Sequence, residues 1–260
     1  MRAFNTNAVL AAVLAAPLLL FGWPKPTAPP AGQLDYATSY FSGGQAAWLF
    51  RFSPPKASGT MYRPGLVGAL PLKIRVANAR VISFASAVAE DGSEYSFLGR
   101  RLGGGWVTGA ITIRGRSQRA FRVLMRSVGT PRSGGGPRSG LYSNRRSIGR
   151  GGAGDLVGND FVLLRATGGA FGLWEDYEGR PGTPLAASSV GLSGNHLRFA
   201  LHTGLGTLRF TGVFHGARLA LTCRSEPSAG GCPGPQLLTW RESIAQLLRA
   251  PTSPPEGPRK

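Results

Sequence analysis

Apolar and polar residues alternate with a period of two along most of the chain. Ile82 and Phe84 flank a serine, and Tyr95 and Phe97 flank another serine in the next apolar segment. Successive side chains of a β-strand point to opposite faces of the sheet, so this alternation is typical of strands with one buried face. Short turn-forming sequences such as EDGS at 90–93 separate the segments. The pattern therefore predicts an all-β fold in which short strands pair antiparallel as a meander.

The alternating pattern occurs in two halves of the chain that are similar to each other. An internal duplication explains this similarity better than chance does. In both halves a glycine, Gly99 or Gly212, ends the aromatic strand, which indicates a bulge or a tight bend in a barrel or sandwich. The corresponding segments are YSFLG at 95–99 and LRFTG at 208–212, ISF at 82–84 and LRF at 197–199, GTMY at 59–62 and GLWE at 172–175, and WLFRF at 48–52 and VLLRA at 162–166.

The two halves are predicted to form duplicated antiparallel β modules, either as two small barrels or as one larger closed barrel. A segment rich in Gly, Pro and Arg has no apolar period and is predicted to be a linker or a long loop between them. The predicted organisation is an export signal and Pro-rich spacer at 1–32, a first β module at 33–126, the linker at 127–140, a second β module at 141–224, and a C-terminal region at 225–260.

The C-terminal region changes to a helical period. Thr239 and Glu242 have the spacing of a capping box, and the apolar residues that follow, up to Leu248, fall on one stripe of a helix. Pro251 ends this segment. The sequence therefore predicts a disulfide loop, a short amphipathic helix at 238–249 that lies on the sheet, and a disordered tail.

The N-terminal region predicts export from the cytoplasm. Residues 1–7 include an arginine, and an uncharged apolar run from Ala8 to Trp23 follows them. This run has the length of the apolar region of a secretory signal and is short for a membrane span, and Pro17 weakens a spanning helix. We therefore predict a periplasmic or secreted bacterial protein with no membrane span after processing. An uncleaved membrane anchor is the alternative.

The two cysteines, Cys223 and Cys232, agree with export. They enclose a short polar loop, and such a pair in an exported chain predicts a disulfide, whereas two free thiols in a cytosolic protein are the alternative. His196, His202 and His215 show no metal-ligand spacing with these cysteines. We therefore predict no metal site and no cofactor, and we interpret the histidines as surface or loop residues.

The chain is strongly basic, with a formal net charge of +18 from 30 basic and 12 acidic residues. An anionic polymer as partner explains such a charge. The basic residues are nearly all arginine, however, and Arg, Gly, Ala and Pro are favoured together by GC-rich codons. We prefer this compositional explanation for the chain as a whole.

The segment 114–150 is the best local case for an anionic partner. It lies within a region from Tyr95 to Gly154 that contains no Asp or Glu. We prefer the interpretation that this segment is a solvated loop together with the outer faces of two strands, and the anionic partner is the alternative. Aromatic residues are sparse here, so specific nucleic-acid binding is not predicted. The candidate anion-binding residues are Arg114, Arg116, Arg119, Arg122, Arg126, Arg145, Arg146 and Arg150.

Catalytic residue patterns are weak in this sequence. Glu175, Asp176 and Glu178 form an acidic group that we interpret as the tip of a hairpin, although paired carboxylates serve hydrolysis or calcium binding elsewhere. Ser53 and Lys56 match a Ser-x-x-Lys motif, but that motif needs a helix and two prolines lie between them. No nucleophile, base and orienting group can be assembled from the sequence, so we predict that the protein is not an enzyme.

Two parts of the chain resemble known groups of proteins. YSN at 142–144, GDL at 154–156 and LSGNHLRFAL at 192–201 resemble secreted bacterial proteins with lipocalin-like β-barrel domains. SGTMY at 58–62, LPLKIRVANARVISF at 70–84 and YSFLGRRLGG at 95–104 resemble the small β domain that precedes some bacterial serine hydrolases. The resemblance covers residues 45–223 and implies lipocalin-like barrels that hold an apolar ligand. It transfers no catalytic residue, because the hydrolase domain itself is missing.

The sequence thus predicts an exported, non-catalytic binding or structural module that holds an apolar small molecule in a barrel. The alternatives are an anion-binding surface protein that uses the segment 114–150, and a hydrolase-related domain. Six residues are candidates for the lining of the ligand cavity, although we prefer plain core packing as their role. These residues are Trp48, Phe84, Phe97, Trp174, Phe199 and Phe210.

Overall fold

The structure is a computed structural model that describes most of the chain between residues 34 and 249. The predicted signal and spacer at 1–32 and the tail from residue 250 lie outside the described residues. Within the described part, short gaps fall at 42–43, 54–57, 63–68, 79, 90–91, 103–104, 116–117, 130–131, 133, 149–154, 180–183 and 226–230.

The first half of the chain forms a closed barrel of eight antiparallel strands, which we call the N-terminal barrel. Each strand pairs with the next, and β8 pairs back with β1 to close the barrel. The strands are β1 (Leu34–Phe41), β2 (Gly44–Ser53), β3 (Ser58–Tyr62), β4 (Leu70–Ala77), β5 (Val81–Ser86), β6 (Glu94–Arg101), β7 (Trp106–Arg114) and β8 (Arg119–Gly129).

The second half forms a curved antiparallel sheet, which we call the C-terminal sheet. Its ladder runs from β9 through β11 to β17 and returns from β17 to β9, but β12 and β13 share only three described residue pairs. The elements are β9 (Gly140–Ser143), β10 (Arg146–Ile148), β11 (Asp155–Ala166), β12 (Gly169–Gly179), β13 (Leu185–Ser193), β14 (His196–Thr203), β15 (Gly206–His215), β16 (Arg218–Ser225), β17 (Gln236–Ser243) and the helix α1 (Ile244–Leu247).

The predicted all-β fold class is therefore confirmed. The alternation of the sequence matches the burial of the side chains: Leu70, Leu72 and Ile74 on β4 are buried, whereas the residues between them are exposed. A barrel of eight strands has an interior that is just wide enough for its inward-pointing side chains to fill. The chain forms two β units in place of one larger closed barrel.

Three apolar cores hold these units together. The barrel core contains Phe84 and Phe97, and the sheet core contains Phe199 and Phe210. A third cluster, which we call the interface core, joins outward-facing residues of both units, such as Leu49 of β2 and Val162 of β11. The barrel and the sheet therefore pack against each other through their outer faces.

Strand β11 shows why part of the sequence is a continuous apolar run. Phe161 and Leu163 face the sheet core, and Val162 and Leu164 face the interface core. All four side chains are fully buried. A strand that is covered on both faces has no exposed row, so its sequence loses the alternation that marks other strands.

The predicted linker is partly attached to the sheet. Arg165 of β11 donates hydrogen bonds from its guanidinium to the carbonyl oxygens of Pro137 and Gly135, at 2.7 and 2.6 Å. The backbone N–H of Arg132 donates to the Arg165 carbonyl at 2.8 Å. The described residues of 132–139 therefore form a loop that is docked on β11.

Two predictions about local structure are wrong. The short C-terminal helix exists, but it covers only Ile244–Leu247, and its capping box is formed by Ser243 and Gln246. The residues 238–243 belong to strand β17 because β16 and β9 pair with this segment, and that pairing outweighs the local helical pattern. The acidic residues 175–178 lie inside strand β12, so they are not the tip of a hairpin.

The predicted disulfide between Cys223 and Cys232 is confirmed, with the two Cα atoms 5.6 Å apart. It ties the end of β16 to the segment that leads into β17. A disulfide fits a protein of an oxidising, non-cytoplasmic compartment. In the described part of the chain, no helix has the length and apolar character that a membrane crossing requires.

Candidate functional site

The six aromatic residues predicted to line a ligand cavity are all buried and are divided between two cores. Trp48, Phe84 and Phe97 lie in the barrel core, whereas Trp174, Phe199 and Phe210 lie in the sheet core. The ring centroids of the stacked phenylalanine pair are 5.1 Å apart in the barrel and 4.7 Å apart in the sheet. Rings at these distances are in direct contact, so the side chains pack against one another.

The predicted anion-binding arginines do not form one described patch. Arg114 and Arg122 are exposed on the N-terminal barrel, and Arg146 is exposed on β10 of the C-terminal sheet. Arg116, Arg150 and the side chain of Arg119 lie outside the described residues.

Two arginines of the predicted set have structural contacts. The guanidinium of Arg126 lies 5.3 Å from the ring centroid of Trp106 and 5.6 Å from that of Phe171, and so connects the barrel to the sheet. Arg145 forms an ion pair with Asp160 at 3.1 Å. Neither arginine is a free ligand for an anionic polymer.

A different group of arginines surrounds a pocket where the docked loop meets the C-terminal sheet and α1. We call it the arginine pocket, and its volume is about 440 Å³. The lining also includes the glycines of the docked loop, the indole of Trp240 and Ser243. No acidic residue is among its described lining residues. The arginines of the pocket are Arg51, Arg132, Arg138 and Arg165.

The loop of the arginine pocket depends on glycine. Gly134, Gly135 and Gly136 have φ angles of +88°, +48° and +107°. Residues with a Cβ rarely adopt such conformations, so glycines are needed for this path of the backbone. The Arg165 guanidinium uses the carbonyl oxygens of the loop as acceptors and thereby fixes the loop's position.

Trp240 and Arg138 form one wall of the arginine pocket. The Arg138 guanidinium lies 5.3 Å from the ring centroid of Trp240. The hydroxyl of Tyr142 donates to the Arg138 carbonyl at 2.8 Å, and burial raises the pKa of Tyr142 to about 12, so this donor stays protonated. Among the described residues, neither the Trp240 Nε1–H nor the buried Arg51 Nε–H has a hydrogen-bond acceptor. Both N–H groups are without solvent exposure, so a ligand in the pocket does not reach them in this conformation.

A second polar group, the interface cluster, lies beside the interface core and consists of Tyr62, Arg145, Asp160, Glu175 and Tyr177. Asp160 of β11 and Glu175 of β12 are directly opposite each other in the ladder, and both are fully buried. Two carboxyl groups without solvent exposure cannot receive a substrate, so this pair does not support hydrolysis in the manner of a glycosidase.

Tyr177 is at the centre of the interface cluster. Its hydroxyl lies 2.8 Å from Oδ2 of Asp160, 3.2 Å from Oε2 of Glu175 and 2.9 Å from Nη1 of Arg145. Burial raises the pKa of Tyr177, and the negative charges of Asp160 and Glu175 raise it further. The hydroxyl is therefore protonated and donates one hydrogen bond.

A serine, a histidine and a threonine form a row on the outer face of the C-terminal sheet. Ser188 Oγ lies 3.0 Å from His202 Nε2, and His202 Nδ1 lies 3.2 Å from Thr207 Oγ1. Ser188 also donates to the Ala200 carbonyl at 3.1 Å. The Ser188 hydroxyl has one hydrogen, so it donates either to that carbonyl or, when His202 Nε2 carries no hydrogen, to the imidazole, which is the arrangement of an activated nucleophile.

The other residues considered as metal ligands or catalytic groups form no site in the described part of the chain. His196 and His215 are exposed, and no group of three His, Cys, Asp or Glu side chains suited to a metal ion occurs in the described residues. The Ser53 side chain and Lys56 lie outside the described part of the chain.

Sequence reasoning missed both polar groups, although each leaves a signal. Arg51 and Arg165 occupy corresponding places at the ends of WLFRF and VLLRA, and both line the arginine pocket. Asp160 directly precedes the apolar run of β11. A charged residue next to a doubly buried strand segment is a signal of a buried polar contact.

Comparisons of the chain with protein-family models, with curated proteins and with solved structures find no match. The barrel fold is therefore known from the structure, and the lipocalin-like resemblance remains an expectation.

Proposed function

We propose that this protein is an exported, non-catalytic binding module that recognises an anionic group through the arginine pocket. The observation that carries the proposal is the convergence of Arg51, Arg132, Arg138 and Arg165 on one pocket, with no carboxylate among its described lining residues. This keeps the anionic partner expected from the segment 114–150 but assigns it to four arginines outside the predicted set, of which Arg132 and Arg138 lie within that segment.

Charge and hydrogen-bond geometry support an anionic ligand. Guanidinium groups that share a pocket repel one another, and a phosphate, sulfate or carboxylate relieves this repulsion while accepting paired N–H donors. A volume of about 440 Å³ holds a compact anionic group and part of the molecule that carries it.

Export is supported by the disulfide and by the apolar N-terminal segment. An exported anion-binding module meets phosphorylated or sulfated glycans and lipid headgroups as ligands. The shared chemistry of these molecules is a phosphate or sulfate ester, and we propose this ester group as the ligand.

The experiment compares two double variants with the same change in charge. Arg132→Ala with Arg138→Ala removes two exposed pocket arginines, and Arg218→Ala with Arg224→Ala removes two exposed arginines of strand β16. Binding of a heparin oligosaccharide and of inorganic pyrophosphate is measured by calorimetry at low and moderate salt. We expect the pocket variant to lose about tenfold or more in affinity, because hydrogen bonds to charged groups contribute about 1.5–3 kcal/mol.

Equal losses in both double variants would mean that binding follows net charge and not the pocket. No binding of either probe at low salt would reject the proposal. Binding of the oligosaccharide without binding of pyrophosphate would assign the pocket to sulfated glycans.

A hydrolase is the second candidate function, and it now rests on the row formed by Ser188, His202 and Thr207. The distances fit a nucleophile, a base and an orienting group if His202 carries its hydrogen on Nδ1. Ser189, next to Ser188, has a φ of 52°, in a bulge of β13. Labelling by a fluorophosphonate probe that disappears in Ser188→Ala, but not in Ser193→Ala, is the expected result for this candidate.

A further inference from the structure

The arginine pocket is built from three parts of the chain that meet at the boundary between the two units. Arg51 comes from strand β2 of the N-terminal barrel. Arg132 and Arg138 come from the docked loop, which lies between the last strand of the barrel and the first strand of the C-terminal sheet. Arg165 and Trp240 come from strands β11 and β17 of the sheet. The pocket is therefore complete only while the barrel is packed against the sheet.

The lining of the arginine pocket is continuous with the interface core. Ile244 of α1 lines the pocket and is also a member of the interface core. On the barrel side, Leu49 belongs to the interface core and lies two residues before Arg51, on the same face of β2. Movement of the barrel away from the sheet thus separates Arg51 from the rest of the pocket.

Arg165 and Arg51 have different roles in the pocket. The Arg165 guanidinium donates to the carbonyl oxygens of Pro137 and Gly135, and the backbone N–H of Arg165 donates to Oγ of Ser139 at 2.9 Å. These bonds fix the docked loop to the sheet without a contribution from the barrel. Arg51 is then the charged group that the barrel adds to the described lining of the pocket.

Electrostatics connects the occupancy of the pocket with the packing of the units. Arg51 faces the arginines of the loop and the sheet across the boundary, and like charges repel one another. No acidic residue among the described lining residues offsets this repulsion. An anion between the guanidinium groups is attracted to both sides of the boundary. Because such a ligand binds the assembled pocket more tightly than the separated units, linkage requires that it stabilises the assembled state.

We propose that the arginine pocket is a joint site of the barrel and the sheet, and that an anionic ligand bound there holds the two units together. The inference rests on the proposed function, because it concerns the same pocket and the same phosphate or sulfate ester. It adds that the barrel supplies part of the binding site, and that the two units are packed less firmly when the pocket is empty.

Calorimetry on the whole chain is the first test, with inorganic pyrophosphate as the probe, or the heparin oligosaccharide if that alone binds. Arg51→Gln removes the charge that the barrel adds to the pocket. Arg100→Gln is the control, since Arg100 is exposed on β6 and does not line the pocket. We expect Arg51→Gln to lose about tenfold in affinity, because the ligand loses hydrogen bonds from a charged group. The control should bind the probe as the wild type does.

Hydrogen exchange in strands β5 and β6 is the second test, because these strands contribute no described residue to the pocket. The probe is added at about ten times its wild-type Kd. Opening of the barrel removes Arg51 from the ligand, so exchange should slow by about fivefold or more in the wild type and in Arg100→Gln. In Arg51→Gln the slowing should be about twofold or less, because the ligand binds more weakly and no longer contacts the barrel.

The outcomes separate this inference from the proposed function. A wild type that binds neither probe rejects both. A wild type that binds a probe without any change of exchange in β5 and β6 would mean that the pocket belongs to the loop and the sheet alone. Wild-type affinity in Arg51→Gln would lead to the same conclusion. The exchange of the wild type needs no variant, so the proposal is tested even if Arg51→Gln does not fold.

Discussion

The N-terminal barrel and the C-terminal sheet contain the same aromatic arrangement on their inner faces. In the barrel, Phe84 pairs with Phe97 across β5 and β6. In the sheet, Phe199 pairs with Phe210 across β14 and β15. The residue pairs two positions away in each ladder also correspond, because Ile82 lies opposite Gly99, and Leu197 lies opposite Gly212. The two units therefore share this register, and the internal duplication stays a prediction.

The outer faces of the two units differ where they meet. The barrel contributes apolar Leu49 and the phenol Tyr62, and the sheet contributes apolar residues together with the buried carboxyl groups of Asp160 and Glu175. Tyr62 and Glu175 are corresponding residues in GTMY and GLWE. Inward positions are thus alike because each unit fills its own interior, whereas positions at the interface differ because each depends on the other unit.

The prediction with the largest expected effect tests whether corresponding phenylalanines of the two inner faces contribute equally to stability. Phe97→Ala and Phe210→Ala should each lower the free energy of unfolding by about 3–5 kcal/mol, because each removes a fully buried ring and leaves a cavity. Urea unfolding of both variants measures the two losses. Leu98→Ala is the control, since Leu98 is 64% exposed and should cost less than about 0.5 kcal/mol. A large loss in only one of the two phenylalanine variants would contradict the likeness.

The disulfide tests a difference between the units, because both cysteines belong to the C-terminal half. Replacement of Cys223 and Cys232 by serine should lower the free energy of unfolding by about 2–4 kcal/mol, since the unfolded chain gains conformational freedom. Thermal unfolding with and without a reductant measures this change. The wild type should be sensitive to the reductant and the variant should not. A wild type that is insensitive to the reductant under unfolding conditions would contradict the expectation.

The glycines opposite Ile82 and Leu197 test whether corresponding positions of the two units are equally closely packed. A Cβ at Gly99 would lie 2.6 Å from a ring carbon of Phe97, and one at Gly212 would lie 2.6 Å from a methyl carbon of Leu221. Gly99→Ala and Gly212→Ala should each cost about 1–3 kcal/mol of stability, because well-packed cores resist added atoms. In Gly115→Ala the nearest atom is at 3.5 Å, so this control should stay near the wild type in urea unfolding.

The smallest expected effect concerns the connection between the units. Arg126→Gln removes a guanidinium that contacts Trp106 of the barrel and Phe171 of the sheet. We expect a loss of about 0.5–1 kcal/mol, the usual range for an exposed cation–π contact. Arg100→Gln on β6 changes an exposed arginine in the same way and serves as the control in the same unfolding experiment. Equal stability of both variants would mean that the contact contributes nothing measurable.

Much of the fold follows from local patterns. The alternation around Ile82 and Phe84 predicts one-sided strands, and the repeated segments predict a second set of similar strands. The spacing of Cys223 and Cys232 predicts their bond. These features depend on neighbours along the chain or on one hairpin, so a reader of the sequence can find them without knowing which strands meet.

The candidate sites depend on residues that are far apart in the sequence. Arg51 and Arg138 belong to different units, and Tyr62 reaches the charges of Asp160 and Glu175 only across the interface. Residues 238–243 have a helical sequence pattern but form a strand, because they pair with the edges of β9 and β16.

The sequence by itself determined the strand type and the disulfide, because periodicity and short loops are local properties. Only the tertiary structure decided how the two units pack, which arginines share a pocket and which carboxyl groups are buried together. The physical reason is that the burial and charge compensation of a side chain depend on the residues of the surface that packs against it. Those residues are distant in the sequence, so a local sequence pattern does not identify them.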